Sequence, residues 1–344
     1  ALEAVRHAAE SAAAVYAFDE AATMYGTLLD SLPPGDSEER VQTLTARGLA
    51  LSAIGGLAAA LRDFEAAAAM AQRLALPVAE AGAERVIGRQ LALMGRGREA
   101  VEHLRRAVGL LRPFPPDSKL AWVQASLGRV LVMEEDEAEA IEWARLAVAG
   151  ADALGDRAIR ASALNTIGVC LQRLGDPDEG LRSIEEAIRE AEASGSADEI
   201  TRAHNNYIHG LIRAFTPLAV LLPAVERGLA AIERCGFIAG ALHTRSAVAK
   251  ALIFMGRWED AERLLENVRT HPTDAVTLTA SEYELGVGLL RFYRGDWGGA
   301  KEALSASLGA SEASDSLDPG ATASAYLART QRLDRRPATA RTTI

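Results

Sequence analysis

Glycine recurs at positions 48, 88, 128 and 168 of this chain, 40 residues apart each time. Around each one the same slots are filled again. After Gly168 come Leu171, Gly175, Gly180, Ile184 and Ala187, at offsets of three, seven, twelve, sixteen and nineteen. Gly48, Leu51, Gly55, Ala60, Phe64 and Ala67 keep those offsets, as do Gly88, Leu91, Gly95, Ala100, Leu104 and Ala107. Gly128, Leu131, Ala140, Ala144 and Ala147 make another copy, with Glu135 in the place of the turn glycine. A chain written this way is a stack of like units, none of which buries its apolar face alone.

Each unit reads as two helices around a tight turn. Small residues at the lead slot and on the second helix let the two pack closely, and the glycine at offset seven closes the first helix in a left-handed conformation. Acids just after it, as in GDPDEG and GRWEDA, favour the positive start of the second helix. Bulky residues at offsets three and sixteen are expected to fill the space between neighbouring pairs. Later copies keep the pattern with a shifted phase: Ala249, Leu252, Gly256, Ala261 and Leu265, then Gly288, Gly295, Ala300 and Leu304. A degenerate first copy lies in Ala9, Ala12, Ala21, Tyr25 and Leu28, closed by Pro33-Pro34. The count is about eight antiparallel helix pairs, with a closing helix around Ala321–Leu333.

Composition agrees with an all-α class. Hydrophobic residues make up 49% but aromatics only 5%, so much of the apolar content is Ala, the best helix former. No period-2 alternation persists. The net charge of −10 argues against direct nucleic-acid binding by this chain, which needs clustered Lys and Arg. Cys170 and Cys235 match no metal or redox spacing and read as buried free thiols. With no signal peptide and no apolar run of membrane-spanning length, the expectation is a cytoplasmic protein with no membrane contact. The ends read as cuts through a longer protein.

The small–Leu–Gly–Ala–large–Ala grammar resembles the tetratricopeptide repeat (TPR), whose usual length is about 34 residues. A period near 40 also suits HEAT or armadillo units, without this internal spacing. The resemblance implies a right-handed α-solenoid over residues 1–334, leaving 335–344 as a linker or tail.

Residues 202–236 depart from the pattern. Ile208 stands at the lead slot and Phe215 at the turn slot, Thr216-Pro217 opens the second helix, and Pro223 falls inside it. A proline there is expected to kink the helix or force a restart. The segment is either a tolerated irregularity or a change of curvature where a ligand or neighbouring domain docks.

Catalytic signatures are absent: no phosphate loop, GxGxxG, HExxH or GxSxG occurs, and neither an enzyme nor a cofactor is expected. His204 and His209 are five apart and share no helix face, which argues against a metal pair. Glu134–Glu137 reads as a helix N-terminus, and Trp258 and Trp297 as packing residues in equivalent slots.

In TPR-like arrays the first helix of each pair lines a concave groove, so the resemblance selects the face to read: six and three residues before the lead slot, one and four after it. Over six copies these 24 slots hold no Asp or Glu, where 47 acids in 344 residues would give about three. Besides Gln42 in the first of these copies, the cationic and amide positions, taken as the candidate site, are Arg85, Arg89, Arg129, Asn165, Gln172, Arg202, Asn205, His209, His243 and Lys250. Read as a site, they form a basic, hydrogen-bonding wall for a polar or anionic effector, or for a protein or peptide partner with an acidic segment. Read as fold alone, they are exposed helix positions that took Arg as a good helix former. In the last copy Glu282 enters the stripe, which suggests a covered end.

The motifs LGD, GRWEDAERLL and RGDWGGAKEAL resemble the TPR-like region of large ATP-dependent LuxR-type transcription regulators. That resemblance implies a sensor and relay, flanked by an ATPase and a helix-turn-helix and coupled to self-association. The competing class is a peptide-binding scaffold for complex assembly or signalling.

Overall fold

The computed structural model describes residues 2–15, 17–235, 238–270, 280–314 and 317–334, and the tail at 335–344 and Gly236 lie outside them. Among the described residues there are seventeen helices and no strand. In chain order they are α1 (Leu2–Ala14), α2 (Phe18–Ser31), α3 (Glu38–Ala53), α4 (Leu57–Arg73), α5 (Pro77–Leu93) and α6 (Gly97–Leu111). Next come α7 (Ser118–Met133), α8 (Glu137–Leu154), α9 (Arg157–Arg173), α10 (Pro177–Ser194), α11 (Ala197–Arg213) and α12 (Leu218–Arg234). The last are α13 (Ile238–Phe254), α14 (Trp258–Arg269), α15 (Ala280–Tyr293), α16 (Trp297–Ser314) and α17 (Leu317–Asp334). That is eight successive pairs and a closing helix, an all-α repeat array.

The chain divides into two compact units, Ala1–Gly210 and Leu211–Ile344. The division falls within α11, inside the irregular copy. In the first unit α3, α5, α7 and α9 stack side by side, each packed on the second helix of its own pair. In the second unit α13, α15 and α17 stack likewise, α13 and α15 each on the second helix of its own pair and α17 closing on α15 and α16.

The turn that ends each first helix is the same throughout. The carbonyl of Leu51, Leu91, Leu131, Leu171, Leu211 or Leu252 accepts a hydrogen bond from the backbone N–H five residues on, at 2.8–3.1 Å. This closure needs one left-handed residue, which is glycine at Gly55, Gly95, Gly175 and Gly256. Glu135 (φ 60°) and Phe215 (φ 51°) adopt the conformation without being glycine. The second helix then starts on a side-chain cap where the sequence has an acid: Asp136 accepts from the Glu139 N–H, and Asp176 from the Glu179 N–H. The Glu134–Glu137 run is thus the entry to α8.

Inside each hairpin, the bulky residue at offset sixteen sits on the lead glycine of the same pair. A Cβ on Gly88 would lie 2.7 Å from Leu104 Cγ, one on Gly168 2.5 Å from Ile184 Cγ1, and one on Gly288 2.7 Å from Leu304 Cγ. The offset-sixteen slot therefore packs within a hairpin, not between neighbours as its bulk suggested. Phe64, Leu104 and Ile184 are essentially fully buried. Where Ala144 replaces the large residue, the helices meet through backbone, with the Ala140 carbonyl 3.0 Å from a Cβ on Gly128.

Three further expectations are corrected or sharpened. Pro223 forces no restart, because α12 runs unbroken from Leu218, with Pro217 capping it and Pro223 in its second turn. Cys170 is buried, and burial pushes its thiol up to about 11, but Cys235 is only partly buried. Trp258 packs against Tyr293 and Trp297 against Phe292, each at the entry of its helix. Among the described residues no helix is long and apolar enough to cross a membrane.

Candidate functional site

The first helices of unit 1 bring part of the expected stripe together. Arg89 on α5 and Arg129 on α7 are half-buried and point at one carboxylate, Asp198 in the first turn of α11. The Arg89 Nη2–Asp198 Oδ2 distance is 3.0 Å and the Arg129 Nη1–Asp198 Oδ2 distance 3.3 Å. Partners 109 and 69 residues apart in sequence thus meet on one wall.

Arg202, one turn further along α11, turns the other way. Its Nη2 donates to the Ser162 carbonyl at 2.5 Å and to Ser162 Oγ at 3.0 Å, and it pairs with Glu199 at 3.2 Å. The wall is therefore not free of acids: Asp198 and Glu199 supply two. Both sit one helical turn before the first slot of their copy, just outside the stripe.

Electrostatics follow from this crowding. Burial pushes the Asp198 carboxyl up, but Arg129, Arg89 and Arg202 outweigh it and hold it well below the ordinary carboxylate range. For Arg129, burial acts downward and the attraction of Asp198 and Glu199 raises the net value. Burial lowers Arg202 below its usual value, with Glu199 opposing and Arg129 adding to the fall. Arg85 stands apart. Burial, and then its neighbour Arg89, push it down to about 10, and its guanidinium lies 5.9 Å from the Trp122 ring centroid. No described carboxylate lies within ion-pair distance of it.

The middle of the stripe is not open. Asn165 is fully buried, its Oδ1 accepting from Asn206 Nδ2 at 3.0 Å, and its own Nδ2 has no partner among protein atoms. The Gln172 amide is enclosed where α9 meets Gly210, and both its polar atoms lack partners. These two residues face α11 rather than an accessible groove: Asn206 covers Asn165, and Gln172 lies against Gly210. Asn205 and His209 are half-buried further along α11. His204 is buried, with Nε2 3.1 Å from Glu192 Oε1, so it is a satisfied core residue.

His243 and Lys250 belong to the second unit and form a cluster of their own there. Lys250 Nζ lies 3.1 Å from Glu282 Oε2, so the acid that broke the stripe is the partner of its lysine. Burial pushes the His243 imidazole down, with Glu282 raising it and Lys250 adding to the fall. Among the described residues no group of His, Cys, Asp and Glu is placed to hold a metal ion.

No family model and no curated protein matches the chain. Solved structures do. A Rap protein complexed with competence and sporulation factor superposes with a TM-score of 0.63 at 12% identity, covering 91% of this chain and 80% of that one. A Rap conjugation gene regulator of a plasmid, in complex with the Phr peptide, gives 0.57 at 16% identity over 78% and 74% of the two chains. Aspartyl phosphate phosphatase F from Bacillus subtilis gives 0.55 at 13% identity over 82% and 71%. At these identities the likeness is one of fold, a TPR-like array of helical hairpins.

Proposed function

We propose that unit 1 is a recognition module that takes an anionic ligand or an acidic peptide segment on the wall formed by α5, α7 and α11. The observation that supports this is the capture of Asp198: two guanidiniums from different repeats already hold one carboxylate of the protein's own chain. Arg suits the role because its planar fork matches carboxylate and phosphate. Asp198 then acts as a resident competitor, and an incoming anion takes its place.

The wider role proposed is that of sensor in a transcription regulator of the ATP-dependent LuxR type. An upstream phosphate loop and a downstream helix-turn-helix in the flanking coding sequence would support it, and their absence would remove it. A peptide-binding scaffold outside transcription is the second reading. It is favoured by the likeness to Rap chains solved with competence and sporulation factor and with a Phr peptide.

The test is fluorescence anisotropy of a labelled Glu/Asp hexapeptide against the full chain. Charge reversal at Arg89 and Arg129 together should weaken binding by about tenfold or more, the scale of one lost charged hydrogen bond, with far-UV circular dichroism unchanged. Asp198→Asn should tighten it. Unchanged affinity in both variants overturns the proposal.

A further inference from the structure

Toward the N-terminal ends of α3, α5 and α7, unit 1 carries an open cleft of about 570 Å³. That volume lies within the range of small-molecule sites. Its walls are mainly apolar: Leu76 and Leu111 from the helix junctions, Phe114 from the loop before α7, and Trp122 and Val123 from α7 itself. Phe114 remains 40% exposed, a large apolar surface left facing water.

One cation opens into this apolar space. Arg85 lines the cleft beside Trp122, and while Arg89 and Arg129 share Asp198, it has no carboxylate of its own. Its depressed pKa still leaves it charged at neutral pH, and with Asp198 acting on it only beyond contact distance the site holds an unpaired positive charge next to hydrocarbon. A second feature has the same sign. The α5 helix starts in the cleft at Pro77, Val78 and Ala79, and its N-cap, Leu76, offers no side-chain acceptor to the Val78 and Ala79 N–H groups, Pro77 having none. First-turn N–H groups and the positive end of the helix dipole favour an anion there. Lys119 stands at the rim, paired with Asp117 at 3.7 Å. Opposing it is Glu38, an exposed carboxylate that repels further negative charge at the mouth.

We propose that this cleft is a receptor for a small apolar carboxylic acid, with its hydrocarbon or aryl body against Leu76, Leu111, Phe114 and Trp122 and its carboxylate on Arg85. The assignment rests on the reading that this wall receives anions, and narrows it to a free monocarboxylate. An extended acidic chain fits this cleft less well, because it would run past Glu38 with Arg85 the one arginine in the lining to receive it.

The experiment is isothermal titration of the full chain with sub-micellar n-decanoate, 1-decanol and a tetrapeptide ending in a free leucine carboxylate, alongside tryptophan fluorescence. Decanoate should bind one to one and about tenfold tighter than decanol, the difference expected for one charge-assisted pair. Arg85→Gln should erase that preference without weakening decanol, and Arg85→Lys should restore part of it. Trp122→Phe should remove the fluorescence change, and Glu38→Gln should tighten the acid. Equal affinity for acid and alcohol in the unmodified protein overturns the proposal, as does an Arg85→Gln variant that keeps the preference. A leucine-ended peptide that binds as tightly as decanoate overturns the choice of a free acid. Loss of decanoate binding with the Glu/Asp hexapeptide still bound removes this inference alone. Loss of the hexapeptide with decanoate retained removes the acidic-peptide reading alone.

Discussion

At the scale of single residues, the turn slot shows both what a repeat dictates and what one residue can resist. The hydrogen bond from residue 216 to the Leu211 carbonyl is made as in every other copy, although Phe215 must hold a φ of 51° to allow it. A left-handed conformation costs a residue with a Cβ about 1–2 kcal/mol. Phe215 is also 88% exposed, so it recovers nothing through burial. Phe215→Gly should therefore stabilise the chain by about 0.5–1 kcal/mol, after the greater entropy of the unfolded glycine is subtracted. Urea denaturation checks this: the midpoint should rise at constant slope. A fall would mean that the phenyl ring makes a stabilising contact. The lead glycines were legible for the opposite reason. Their requirement is packing, and three identical spacings between four glycines cannot be met by drift in surface composition.

At the scale of the helix, the candidate wall was half legible, and the missing half has a specific cause. The stripe was read over four slots per helix, the reach of the exposed face in mid-helix, and so began one turn too late. Asp198 is four residues before Arg202 and shares its face, just as Glu38 is four before Gln42. Acids gather in the first turns of α3 and α11, so a window confined to later turns showed a basic wall and hid the carboxylate that organises it. The same logic places Asn165 and Gln172 in the groove, but one-sequence periodicity does not reveal that α11 covers them on α9. The Asp198 contact carries a pH signature. Its folded pKa lies below the value near 3.9 of an unfolded Asp, so its stabilisation is fully present above that value and is lost as pH falls below it. Half of the Asp198 side chain is open to water, so salt should reduce the effect as well. Asp198→Asn should lower the urea midpoint by a constant amount from pH 8 down to about 5, with the gap closing below about pH 4. A gap that widens in acid would mean that Asp198 is not held ionised by its arginines.

At the scale of the whole molecule, unit 1 is stabilised between neighbours rather than around one centre. Each regular hairpin closes on its own lead glycine and then packs on the next pair, so damage should spread by adjacency. Gly168 is the place to test this. A side chain there meets both Ile184 and the backbone carbonyl of Gly180, which cannot move without displacing α10. Gly168→Val should cost about 1–3 kcal/mol through overpacking. Hydrogen exchange followed by mass spectrometry should show protection lost most in α9 and α10, less in α7 and α8, and almost unchanged in α1–α4. A domain with a single core would instead lose protection uniformly across residues 2–210. The gradient also bears on the ligand sites. Arg85 lies two pairs away from Gly168 and its cleft comes no nearer than α7, one pair away, while Asp198 lies on the helix packed directly over α9. If stability is passed from neighbour to neighbour, Gly168→Val should leave decanoate binding intact but weaken the hexapeptide, whose wall depends on where α11 sits. Equal loss of both ligands would mean that the hairpins are coupled as one body, and the separation of the two sites would fail with it.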